Sequence, residues 1–174
     1  MGISAAIEQW RGPFGARHDF EQIGRSVEAK ATLSARGAIH RINGLDQLAP
    51  PEDGELLFFS LRARDEAGAS NRLADLVIQC RGVIGADADA LTRFESALLL
   101  AGYSPLYEEE YGKRRLRVTA EELFKVETNF PRLTAATFPD GVPGGVESVD
   151  YEINLSAFAH LRIATNPAEF IALQ

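Results

Sequence analysis

The sequence predicts one α+β unit, and three observations carry that reading. Polar and apolar residues alternate strictly through "SVEAKATL". Two consecutive mid-chain segments place apolar residues at helical spacing. Turn-rich sequence with strand periodicity then returns toward the C-terminus. The 174 residues suffice for a single buried core, and neither an internal repeat nor a low-complexity linker divides them.

The elements follow in chain order. "ISAAIEQW" predicts a short helix, stopped by "RGPFG". "RHDFEQI" reads as a strand and "GRS" as a turn. In "SVEAKATL" one strand face carries Val27, Ala29, Ala31 and Leu33, and the other carries Ser26, Glu28, Lys30 and Thr32. "AIHRIN" predicts a further strand, completing an antiparallel meander, and "GLDQL" one helical turn. "ELLFFSLRAR" has the near-continuous apolar character of a buried central strand. "ASNRLADLVIQCRGVI" sets Leu73, Leu76, Val77 and Cys80 at helical spacing, which predicts a core cysteine. "DADALTRFESALLLAGY" is a second helix, with an Asp at its start and Gly102 as its stop. "EEEYGKRR" reads as a solvated turn. "RRLRVTAEELFKVE" resumes strand periodicity with a break near Ala120, and a loop-rich stretch ends in a strand over 146–155. "NPAEFIAL" predicts a last helical turn, capped by Asn166. Trp10, before Gly12-Pro13, is expected to anchor its segment on the core.

Composition excludes several classes. No run of 18 apolar residues exists to span a membrane, and Glu8 arrives too early for a signal peptide, so a cytoplasmic protein is expected. Cys80 is the only cysteine, which rules out an internal disulfide and a cysteine metal cluster. The net charge of −7 argues against bulk coating of nucleic acid. Residues 1–42 hold six Arg or Lys against four Asp or Glu; the remainder holds twelve against twenty-one. A nucleic-acid contact would centre on that basic opening.

The chemistry lies there too. Glu28 and Lys30 share a strand face, and a short turn folds Asp19 back beside them. Two converging carboxylates and a backbone carbonyl form a hard oxygen site suited to Mg2+ or Mn2+. Such an ion acidifies water and stabilises charge on a phosphate oxygen, with Lys30 placed to neutralise the reacting phosphate. The same residues also fit an ordinary strand whose Glu and Lys face water. One detail leans toward chemistry. The chain has fifteen Arg and three Lys, yet the motif position carries Lys.

The segments "WRGP", "HDF", "VEAKAT", "IHRINGLDQL" and "ELLFFSL" resemble a family of bacterial PD-(D/E)XK-motif proteins, similar to restriction endonucleases. The resemblance extends through "TRFESALLLAGY" and "FPRLT". It implies a restriction-endonuclease-like mixed sheet flanked by helices: one domain over 1–174, with a motif-bearing core at 1–105 and a β-rich extension at 106–174. It implies a metal-dependent endonuclease acting on DNA in a restriction or phage-defence system. Asp19 would be the first acid, Glu28 the second, Lys30 the lysine and Gln47 a further polar residue of the site, with Mg2+ or Mn2+ held by Asp19 and Glu28. Implied partners are DNA, helicase or GHKL-type ATPase subunits, and a second copy of the chain. His18 stands where the motif name has Pro. Glu8 is the candidate for the additional acid that such nucleases carry on an opening helix. The alternative is a catalytically inactive module of the same fold that docks a protein or nucleic acid.

Arg17, His18, Arg36 and Arg41 flank the motif and are candidate nucleic-acid contacts. His18, His40 and His160 lack metal-ligand spacing, so local hydrogen bonding is expected of each. Thr32 shares the face of Glu28 and Lys30. "GVPGGV" lacks a phosphate loop's Lys and reads as a turn.

Overall fold

A computed structural model describes residues 2–166 and residue 169. The chain opens with α1 (Ile3–Gln9) and a 3-10 turn (Gly12–Phe14). β1 (Phe20–Gln22) and β2 (Arg25–Thr32) then form an antiparallel hairpin. Its two-residue turn places Gly24 at φ +76°, which only glycine adopts without strain.

β3 (Ile39–Asn43) follows, and β4 (Glu55–Asp65) comes next. Here the structure corrects the expected meander. β4 runs parallel to β2, and β3 leaves the sheet to pair with β6 (Asp150–Asn154) in a two-stranded layer. The apolar run of β4 decides this: it takes the place beside β2, while β3 buries only His40 and Ile42 and exposes Arg41 and Asn43.

Between β4 and β5 (Leu116–Lys125) lie α2 (Leu73–Ile84), α3 (Ala88–Leu100) and α4 (Glu108–Lys113). β5 returns antiparallel to β4, and the expected break is a register shift beside Ala120. β7 (Arg162–Ala164) completes a mixed sheet of order β1-β2-β4-β5-β7. Residues on both sides of position 105 therefore build one sheet.

Asp87 caps α3 by accepting from the Ala90 N–H at 3.0 Å, and Gly102 ends the helix region at φ +88°. Two other expectations fail on helices. α4 forms where the sequence predicts a solvated turn, with three glutamates in its first turn and Lys113 in its last, as the helix dipole favours. "GLDQL" forms only bends and a turn.

Cys80 is exposed, not a core residue. α2 buries the narrow stripe of Val77 and Ile84, so Leu73 and Leu76 stay 46% and 43% exposed beside it. The expected final helical turn falls largely outside the described residues.

Two cores result. One lies between the main sheet and the β3–β6 layer, around Ile42, Leu56, Phe58, Phe124 and Ile153. The other joins α1, α2 and α3 around Ile7, Val77, Phe94 and Leu98. Trp10 ties this helical core to the hairpin, its ring 6.5 Å from Phe20 and 6.0 Å from Phe94. No described helix is long and apolar enough to cross a membrane.

Candidate active site

The site grows from the β1–β2 hairpin. Phe20 pairs with Val27, so the next residue out, Asp19, stands opposite Glu28 and on its face of the sheet. Asp19 is held at three points. Its carbonyl accepts from the Arg11 and Gly12 N–H groups at 2.8 and 3.0 Å, and its Oδ2 accepts from the Ala29 N–H at 2.8 Å. Gly12 permits this approach. A Cβ there would lie 3.0 Å from Asp19 Cα and closer still to its Oδ1.

Glu28 is 2% exposed, which removes the solvated-strand reading at this residue. Burial, and then the Asp19 charge, push its carboxyl up to about 7. Lys30 works in the opposite direction, its Nζ 3.1 Å from Glu28 Oε1. Asp19, Glu28 and Lys30 therefore neighbour one another on the β1–β2 hairpin.

The chain matches, over residues 1–156, the family model described as "Putative PD-(D/E)XK family member, (DUF4420)". The chain belongs to this PD-(D/E)XK family. No curated protein and no solved structure gives a significant match. The mixed five-stranded sheet with its flanking helices is consistent with the family's restriction-endonuclease-like fold.

The other residues singled out in the sequence have these surroundings. Gln47 is turned toward the end of β3, where its Oε1 accepts from the Asn43 N–H at 2.9 Å. His18 is 2% exposed, so its ring does not reach a surface ligand; burial lowers its pKa most, and its Nδ1 lies 3.8 Å from Glu21 Oε1. Arg41 projects from the exposed side of β3 and pairs with Asp150 at 3.1 Å. Arg17 and Arg36 are exposed, and Glu8 lies on an exposed position of α1. Thr32 accepts from the Ser34 N–H at 3.1 Å. His160 is exposed and packs near Phe158, their ring centroids 6.1 Å apart.

Two buried residues join this face without any sequence motif to mark them. Register places Ser60 beside Lys30, and His40 Nε2 lies 2.8 Å from Ser60 Oγ. Both side chains are sealed, at 0% and 2% exposure. Burial, then the Lys30 and Arg62 charges, pull His40 down to about 4, so it is neutral at physiological pH. The available signal is a lone hydroxyl inside the apolar run "LLFFSL", where period two aligns Phe58, Ser60 and Arg62 with the motif face.

The donor set fits a hard divalent cation. Asp19 and Glu28 are two carboxylates on one face, one of them buried against the other's charge, and a cation would relieve that repulsion. No group of three or more His, Cys, Asp or Glu suited to a metal occurs among the described residues.

Proposed function

We propose that this chain is a Mg2+- or Mn2+-dependent endodeoxyribonuclease that works within a multi-subunit restriction or defence system. The observation that carries the reading is the junction of Asp19, Glu28 and Lys30 on one sheet face, with Lys30 Nζ 3.1 Å from Glu28. Asp19 and Glu28 would hold the ion, which when bound supplies Lewis-acid stabilisation and an acidified water. The Ala29 N–H and the Gly12 approach fix the Asp19 carboxylate. Lys30 offers a cation to the negative charge that builds on the reacting phosphate.

Charge governs partnership. A chain of net charge −7 has few phosphate contacts to offer, so affinity for DNA on its own is low. A helicase or GHKL-type ATPase subunit, or a second copy, would extend the basic surface. A second copy would also bring a second site to the opposite strand.

Two measurements test this. Nicking of supercoiled plasmid in Mn2+ is expected to be weak with the lone chain and to rise when partner subunits are supplied; robust cutting by the chain alone overturns the partner claim. Calorimetry with Mn2+ is expected to show weak binding that Asp19→Asn abolishes; equal heats remove Asp19 from the site. Gly12→Ala is expected to weaken the same binding by about 10–100-fold, as loss of a ligand's support does. Unchanged Mn2+ heats in a folded Gly12→Ala protein would show that the close approach is not needed.

A second reading has its own support: Glu28 is 2% exposed, and no three-ligand group is found among the described residues. That reading is a non-catalytic module of the same fold that docks a protein or nucleic acid. Partner-dependent DNA binding without cutting in any mixture would favour it.

A further inference from the structure

The motif face continues beyond the acids, and its side chains can be followed row by row from the strand register. Across β2, β4 and β5 the rows run Glu28, Phe58, Phe124; then Lys30, Ser60, Glu122; then Thr32, Arg62, Ala120. Arg62 thus lies one row past Lys30, on the neighbouring strand and on the same face.

Arg62 differs in its partners from the arginines around it. Arg25 pairs with Glu55, Arg64 and Arg117 with Glu66, and Arg162 with Glu122. The Arg62 guanidinium has no carboxylate within ion-pair distance among the described residues, although the chain has twenty-five acids and eighteen bases. It is half-buried, and its charge reaches the same buried ring, His40, that Lys30 reaches. Two cations therefore flank a neutral imidazole, with one acid partner between them. An uncompensated guanidinium held on a sheet face is suited to a phosphate, which it can grip with two parallel N–H bonds.

We infer that Arg62 binds a backbone phosphate of the nucleic acid next to the one placed at Asp19, Glu28 and Lys30. The inference rests on the nuclease reading and assigns the substrate's backbone a second contact on this face. Arg62 is then a substrate-binding residue that does not touch the reacting phosphate. Each row advances two residues along the strands, so the substrate backbone runs along β2 and β4 toward the C-terminal end of β2.

The test is fluorescence anisotropy of a labelled DNA duplex with the full chain in EDTA, repeated across a series of KCl concentrations beginning at low salt. Arg62→Gln is expected to reduce the slope of log K against log salt by about one, the loss of a single phosphate contact. Arg62→Lys is expected to keep most of the slope. Arg64→Gln, which removes an equal charge engaged with Glu66, is expected to leave it unchanged. Chemical-shift titration of His40 checks that the Arg62→Gln protein is folded: its pKa should rise, because Arg62 holds it down. If wild type binds and Arg62→Gln has the wild-type slope, the Arg62 assignment is wrong and the nuclease reading stands. If both arginine variants lose slope alike, the effect is bulk charge and the assignment is again wrong. If wild type shows no binding even at low salt, the Arg62 assignment falls, while the nuclease reading, which assigns most DNA affinity to partner subunits, is decided by the nicking assay.

Discussion

Glu28→Gln is expected to raise the melting temperature at pH 8 and to leave it nearly unchanged at pH 4. The wild-type carboxyl titrates at about 7 in the fold against an ordinary 4.5. The folded state therefore holds this proton more tightly than the unfolded chain, and stability falls as pH rises from about 4.5 to 7. Above that window the ionised Glu28 costs about 3 kcal/mol, because a tenfold change in proton affinity is worth ~1.4 kcal/mol. Glutamine has no charge to desolvate, so relief of that size corresponds to roughly 6–12 °C in a chain of this length. Below pH 4.5 the carboxyl is neutral in both states and the advantage disappears. Mg2+, if held by the folded carboxylates as proposed, should narrow the gap at pH 8 by stabilising wild type alone. Calorimetric melts at the two pH values, with and without Mg2+, measure all of this; a difference in melting temperature that is the same at pH 4 and pH 8 would falsify the assigned cause.

Lys30→Ala is expected to lower plasmid nicking by the assembled system by about 100-fold or more, the scale of losing one charge-stabilising donor. It should also alter a pH profile in a defined direction. Lys30 pulls the Glu28 carboxyl down, so its loss lets that carboxyl rise further above 7. Mn2+ binding, which needs the carboxylate, should then set in at higher pH than in wild type. Residual nicking in the variant should likewise recover toward alkaline pH. The comparison is a set of Mn2+ titrations across neutral and mildly alkaline pH. A reduced rate with an unmoved metal profile would mean that Lys30 acts on the phosphate without tuning Glu28.

The hairpin is legible in the sequence because its signals are local. Strict alternation places Glu28 and Lys30 on one face, and a tight turn carries Asp19 back to them. Trp10 and Gly12 are legible as an anchor and a turn, though only the packing explains the glycine, through its contact with Asp19. The position of β3 is not legible. Its five residues alternate well enough for either sheet, and the choice depends on β6, which follows only after a long, loop-rich segment. Cys80 misleads for a related reason. Helical spacing marks an apolar stripe, but the stripe's buried width is set by the helices that meet it, and on α2 that is Val77 and Ile84 alone. The solvated-strand alternative for Glu28 fails because the β3–β6 layer lies over that face, and no local pattern announces it.

The pairing of β3 with β6 also fixes an order of assembly. The β1–β2 hairpin closes through a two-residue turn, so the acids can meet as soon as their own short segment exists. Their cover is joined by contacts such as Arg41 to Asp150, 109 positions apart, and cannot form from the first half of the chain. During synthesis, Leu56 and Phe58 are present long before Ile153 arrives to bury them. The newborn chain therefore carries its paired acids beside a bare apolar sheet until residue 154 has emerged. This interval is when the protein is most exposed to aggregation.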